Sequence, residues 1–464
     1  MNATTEANGA VATPNRYAVG TLKYDKRAIV ILFGWLLWGD FAFNFFESVF
    51  GRFMPLYLKE LNASNVFIGI TTGSVAGLVN ILFLPNISQW SDRLRARLGR
   101  RIPFLLIVTP LTTLSLLAIG FAPEIGALTH RYLPSFSWLT QTGLVLSLLC
   151  LFTIAFHFFN MILVNVFNWL VRDVVPQVLM ARFLTWFRVV GTVAAMLFLW
   201  YVFPTMLFHR KLTFLLVGFF YLAAFLLMCW KVKEGDYPAP ESRGSADNFL
   251  RRFVTYFRDC LGIPLYRNFF LVHVLFVIGN VCANYSFLTL YARHTLRLEM
   301  EAMGQIYAYA ALLSAVVYIP IGWLCGKIGE MKVTLASLVT LVIVAILAYY
   351  LVTDQTSWLV YSLVSSLPAV GWTLGSLTVS MRLFPEKSFG QFASGINVFS
   401  CGGMIAGNYI CGEYMDFVDS NYRLIFWWVA GFCTLAIVPM VAVYRGWRQH
   451  GGPDHYVAPS PIRK

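Results

Sequence analysis

Gln89 to Phe104 reads Q-W-S-D-R-L-R-A-R-L-G-R-R-I-P-F and lies between two long apolar runs. It holds the arginines Arg93, Arg95, Arg97, Arg100 and Arg101 and a single carboxylate, Asp92. An arginine at the centre of a bilayer costs at least ~2.5 kcal/mol, so this segment is a short aqueous hairpin joining two membrane helices. Its arginine excess places it on the cytoplasmic side, and the rest of the chain is oriented from it.

The flanks bear this out in composition. Of 464 residues, 58% are hydrophobic, 16% aromatic and only 12% charged, against about 25% charged in soluble domains. The net charge of +13 falls between apolar runs rather than in one patch, so it marks topology and not a nucleic-acid surface. The eight cysteines form no C-x-x-C pair and sit mostly inside apolar runs, where they read as small buried hydrophobes. Residues 1–27 are polar and lack an apolar core followed by a cleavage site, so no removable signal peptide is expected.

A span needs about 20 predominantly apolar residues. On that criterion helices fall near 28–50, 66–88, 103–121, 140–170, 183–204 and 211–230, and again near 266–291, 303–325, 332–353, 357–381, 393–413 and 422–445. The expected organisation is an all-α membrane protein of twelve spans in two pseudo-symmetric six-helix halves. Residues 1–27 form a cytoplasmic segment, 28–230 the first bundle, 231–265 a cytoplasmic linker, 266–445 the second bundle and 446–464 a cytoplasmic tail. Most of the 35 lysines and arginines lie in the termini, the linker and the loops on the hairpin's side, which puts both termini inside a cell (plasma or inner) membrane.

The halves echo each other. After the fourth span the chain reads V-V-P-Q-V-L-M-A-R-F, and after the tenth L-F-P-E-K-S-F-G-Q-F; the arginine hairpin after the second span is answered after the eighth by Gly322-x-x-x-Gly326-Lys327-x-Gly329-x-x-Lys332. Paired elements at matching positions mark a duplicated transporter fold whose binding site lies at mid-membrane, where the halves meet. These two loops resemble the signature of the major facilitator superfamily, with Ser88 in place of its first glycine and Gly326 where the second half can carry an aspartate. Phe33-Gly34-Trp35, Ser91-Asp92-Arg93, Arg97, Gly99-Arg100-Arg101 and Pro103-Phe104 resemble more narrowly the sucrose:proton symporter branch of the glycoside carriers, over roughly the first hundred residues. That branch usually has a further arginine where Ile102 stands, and an aspartate in span four, where this chain has His157, Asn160, Asn165 and Asn168.

Ionisable residues at membrane depth must face a cavity or a partner. Asp40, Asn44 and Glu47 share one stripe of the first span, and Asp40 lies about 18 Å along it, near the bilayer centre. Asp40 is the expected coupling carboxylate or a sugar-hydroxyl acceptor; the alternative is a static ion pair. His157, Asn165 and Asn168 share an arc of span four with Asn160 at its edge, and span seven repeats the pattern with His273, Asn280 and Asn284. Amides among aromatics suit a polyhydroxylated neutral ligand, and serve equally well as bonds between helices. His157 and His273 are of the residue type whose charge changes near neutral pH, and so are candidates to replace the absent aspartate. Arg188, in span five, needs a carboxylate or an anionic ligand nearby, and the resemblance implies an arginine of this span at the site.

The hairpin residues Asp92, Arg93, Gly99, Arg100 and Arg101 are assigned to gating. The resemblance implies that Asp92 meets the N-terminus of span eleven near Ala393 and Ser394, where a helix carries about half a positive charge. Gly69, Gly73 and Gly77 in span two and Gly403 and Gly407 in span eleven have the spacing that lets helices approach closely.

The chain has no Walker A loop, G-x-S-x-G, H-E-x-x-H or zinc spacing, so no catalytic residue, metal or cofactor is expected. The expectation is a monomeric, lipid-embedded carrier of a small neutral sugar or glycoside, coupled to protons by alternating access. Two alternatives stand beside it: an exporter of amphipathic compounds or drugs, and a membrane sensor that binds without transporting.

Overall fold

Of the 464 residues, the computed structural model describes 17–132, 140–235 and 258–459, apart from Gly20, Arg95 and Asp259. The centre of the linker and most of the N-terminal segment lie outside the described residues, as do the side chains of Asp92 and Arg93.

Twelve long helices are present among the described residues. The first half holds α1 (Lys26–Glu60), α2 (Asn65–Gly69 running on to Val75–Arg93), α3 (Ile102–Gly120), α4 (Gln141–Val174), α5 (Gln177–Thr205) and α6 (Arg210–Lys231). The second holds α7 (Pro264–Phe276 running on to Tyr291–Thr295), α8 (Met300–Ile328), α9 (Glu330–Leu351), α10 (Gln355–Leu383), α11 (Phe389–Phe417) and α12 (Tyr422–Gln449). A short helix, Ala122–Tyr132, follows α3, and a hairpin of β1 (Ala18–Val19) and β2 (Leu22–Lys23) precedes α1.

Local chemistry sets the helix ends. Asp25, Ser64 and Thr140 each accept a backbone N–H three residues on, and Asp354 and Ser357 form a reciprocal capping box at α10. α4 and α10 both stop just before a proline, Pro176 or Pro385, which are the two echoed sites of the sequence. The echoed loops each turn on a glycine with positive φ, Gly99 at 103° and Gly329 at 95°.

Two elements depart from the apolarity reading. α1 runs ten residues beyond the expected 50, carrying Arg52 and Lys59 inside one continuous helix. Arg52 remains because its guanidinium lies 3.9 Å over the ring of Tyr307, and Lys59 because it reaches Asn65 and Ser420. α11 is too polar to be among the eleven helices apolar enough to span on their own. Gly412 and Asn408 face α2, and Gly395, Gly403 and Gly407 pack on α7, which is what lets a polar span persist.

The halves meet along α2 with α11, α5 with α8 and α1 with α7. Among the described residues, the close glycine contacts between the halves lie toward the end away from the termini. There a side chain at Gly69, Gly73, Gly304 or Gly412 would strike the opposite half, whereas a Cβ at Gly322, Gly326, Gly390 or Gly402 would meet nothing within 4 Å. Nearer the termini, Trp186 of α5 and Trp323 of α8 are 59% and 63% exposed. The clasps of Asp416 on Asn65 and Val66 and of Arg52 on Tyr307 lie at that same end, away from the termini.

Candidate functional site

Between the halves, beneath these clasps, is a cavity of about 350 Å³. The first half lines it with Glu47 of α1, Thr72 and Asn80 of α2, and His157, Asn160 and Asn165 of α4. The second contributes Val281, Cys282 and Ser286 of α7, with Met404 and Asn408 of α11. Asn160 donates from Nδ2 to Glu47 Oε2 at 2.9 Å. Phe50 stands edge-on to the His157 ring at 4.8 Å, and the buried Nε2 of His157 has no hydrogen-bond partner among the described residues. Thr72 Oγ1 lies 2.7 Å from Ile68 O and 2.8 Å from Ser286 Oγ, a hydroxyl pair that bonds across the seam. Among the described residues no lysine or arginine lines the cavity.

Of the eleven residues expected along the pathway, the cavity gathers Glu47, His157, Asn160 and Asn165. Asn168 continues the α4 stripe beyond the cavity and is exposed. Asp40 lies two turns from Glu47 and is wholly buried. Its Oδ1 accepts from Asn44 Nδ2 at 2.8 Å, and Oδ2 has no partner among the described residues. The Asn44 amide lies against Gly191 of α5, and Arg188, one turn earlier on that helix, acts electrostatically on Asp40.

The second-half stripe is not brought to the cavity. His273 is buried between the rings of Phe269 and Trp372 and engages Phe269 O at 3.0 Å. Asn284 donates to the side chain of Asn280 and, at 3.0 Å, to its carbonyl, where α7 widens into π-helical turns that turn side chains out of α-helical phase.

Arg100 and Arg101 of the hairpin bond to residues of their own half. Arg100 and Arg101 both bond Asp173 Oδ2, from Arg100 Nη2 at 2.8 Å and Arg101 Nε at 3.1 Å. Glu234 accepts the backbone N–H groups of Arg100, Arg101 and Ile102 at 2.9, 2.8 and 2.6 Å. Arg101 is buried, donating to Ser91 Oγ at 2.5 Å and stacking on Trp169. Gly99 turns the chain against the Glu234 carboxyl, where a Cβ would not fit.

The roof is sealed from the other half. Asp416 of α11 accepts from Asn65 N at 3.0 Å, Asn65 Nδ2 at 2.7 Å and Val66 N at 3.0 Å. Tyr422 donates to Asn65 Oδ1 at 2.7 Å. Thr72, Asn80, Ser286, Asn408 and Asp416 were not among the residues expected from the sequence. Four of them, Thr72, Asn80, Asn408 and Asp416, lie on the two helices whose glycine spacing marked them for close approach.

A family model described as MFS/sugar transport protein matches residues 36–382. This chain belongs to that family. It is a membrane transporter of the facilitator fold, and solved structures agree. A mutant of the nucleoside transporter NupG superposes with a TM-score of 0.69 at 11% identity, over 89% of this chain and 100% of that one. The D-xylose-proton symporter gives 0.62 at 14% identity, over 89% and 96%. A bacterial homologue of the iron transporter ferroportin gives 0.65 in its inward-facing state and 0.58 in its outward-facing state, at 16% and 14% identity, each over 89% of this facilitator and 99% of that chain. No curated protein matches this facilitator by sequence.

Proposed function

We propose that this facilitator moves a neutral sugar or glycoside across a cell membrane by alternating access, coupled to protons. The observation that carries the reading is a cavity at the junction of the halves lined by a carboxylate and amides, with no cationic side chain among the described residues. Amides and carboxylates match hydroxyl groups in both donor and acceptor sense, and the missing cation disfavours anionic ligands. A volume of about 350 Å³ is near the low end of the ~300–1,000 Å³ of small-molecule sites, which suits a mono- or disaccharide.

Asp40 is assigned the coupling proton. It is wholly buried with only an amide for a direct partner, so a proton taken up there cancels a charge that nothing meets in direct contact. The end that holds the termini is assigned to the cytoplasm and to the open side, in keeping with the basic termini and with the better match to the inward-facing relative. In the opposite state Asp92 at the N-terminus of α11 is assigned the closing role on the cytoplasmic side.

Proteoliposomes test this by counterflow of labelled sucrose, glucosides and nucleosides, followed by uptake under an imposed proton gradient. Asp40→Asn is expected to abolish uphill accumulation while sparing exchange. Undiminished accumulation by the variant removes Asp40 from the coupling role, and absence of counterflow for every sugar defeats the sugar reading. Met161, Met404 and Phe50 give the cavity adaptable apolar walls, which favour the exporter alternative as the second reading. Dye extrusion indifferent to sugars is its expected signature.

A further inference from the structure

We infer that Asn408 is the substrate-binding polar group of the second half, and that it reads the ligand at the point where the halves cross. The inference rests on the transport reading above.

A ligand shifts an equilibrium between two states only through differential affinity for them. A substrate that touched one half alone would be carried with it and would bias nothing, so both halves must engage it. The first half offers Glu47, Asn80, His157, Asn160 and Asn165. From the second, Val281, Cys282 and Met404 offer little hydrogen bonding, and Ser286, paired with Thr72, keeps only part of a hydroxyl's capacity. Asn408 remains. Its Nδ2 makes one bond, to Met404 O at 2.9 Å, and its Oδ1 accepts none among the described residues. One N–H and the whole carbonyl are left for a ligand.

Its position adds a consequence. The Asn408 side chain lies flat on Gly73, and its backbone carbonyl lies against Gly69, with no room for a Cβ at either glycine. A hydroxyl bonded to Asn408 therefore acts on the α2–α11 crossing itself, where small residues allow sliding. Asn408 is 3% exposed and cannot swing away without parting that crossing.

The test is counterflow in proteoliposomes with the full chain, using whichever sugar the wild-type protein exchanges and its set of monodeoxy analogues. Loss of one neutral hydrogen bond corresponds to roughly a two- to tenfold rise in half-saturating concentration. For Asn408→Ala that rise is expected with the maximal exchange rate kept. One deoxy analogue should be weakened on the wild type yet bind the variant no worse than the parent sugar does. A packing role alone would instead depress the rate and weaken every analogue alike, and that result overturns the assignment. Unchanged affinity in a variant that still exchanges sugar also overturns it while leaving the transport reading intact. Wild-type protein that exchanges no sugar ends both.

Discussion

Glu234 and Asp416 do the same chemistry at opposite ends of the molecule. Each is a carboxylate set on the free N–H groups of a helix start, where the macrodipole is positive. Glu234 takes three such groups at the start of α3 and belongs to the same half. Asp416 takes two at the start of α2, with the Asn65 side chain, and belongs to the other half. The first contact, with Asp173 and the hairpin arginines, makes one half a rigid body. The second joins two bodies, and has to break whenever the cavity opens on that side. Identical bonds are thus permanent or reversible according to whether the chain topology lets their partners separate.

Removing the permanent cap should have the larger effect on stability. Glu234→Ala leaves three donors at the start of α3 unmet and strips a carboxylate from beside Arg100 and Arg101, for an expected loss of about 2–3 kcal/mol. Thermal unfolding in detergent should fall accordingly, while exchange per folded molecule holds. A variant as stable as its parent but trapped in one state would break the distinction, because Glu234 would then belong to the moving parts.

Removing the reversible cap should shift populations more than stability. Asp416→Ala deletes acceptors that exist only in the state closed at that end, at about 1–2 kcal/mol, or roughly a five- to thirtyfold change in the balance of states. Spin-label distances should lengthen across the Asn65–Asp416 seam and shorten across the Trp186–Trp323 seam. Distances unchanged at both seams would mean that the glycine crossing alone holds the roof shut.

What the sequence made legible follows the same division. Twelve helices, the duplicated halves and the two echoed turns at Gly99 and Gly329 are written in local residue chemistry, so reading along the chain finds them. The first-half site was half legible, because Glu47, His157, Asn160 and Asn165 all lie on helices whose polar stripe faces the junction. The second-half stripe misled. Asn280 and Asn284 satisfy each other where α7 loosens into π-helical turns, and a phase computed for an ideal helix does not hold there. Asp416 escaped notice because nothing in its neighbours along the chain distinguishes it. Its meaning comes from Asn65 and Val66, some 350 residues away.

The smallest effect concerns Arg52, at the α1–α8 seam on the closed side. Its guanidinium lies 3.9 Å over Tyr307, a stacking contact between the halves worth about 1 kcal/mol where it is partly desolvated. Arg52→Gln should move the balance of states in the same direction as Asp416→Ala but by only about fivefold, read by the same two distances. Arg52→Lys should not restore it fully, because an ammonium lacks the flat face that stacks on the ring. The double variant sharpens the comparison further. The two contacts share no residues and lie on different helix pairs, so their effects should add to within about 0.5 kcal/mol. A double variant no more shifted than Asp416→Ala alone would mean that the Asp416 clasp opens first and that the Arg52 stack only follows it.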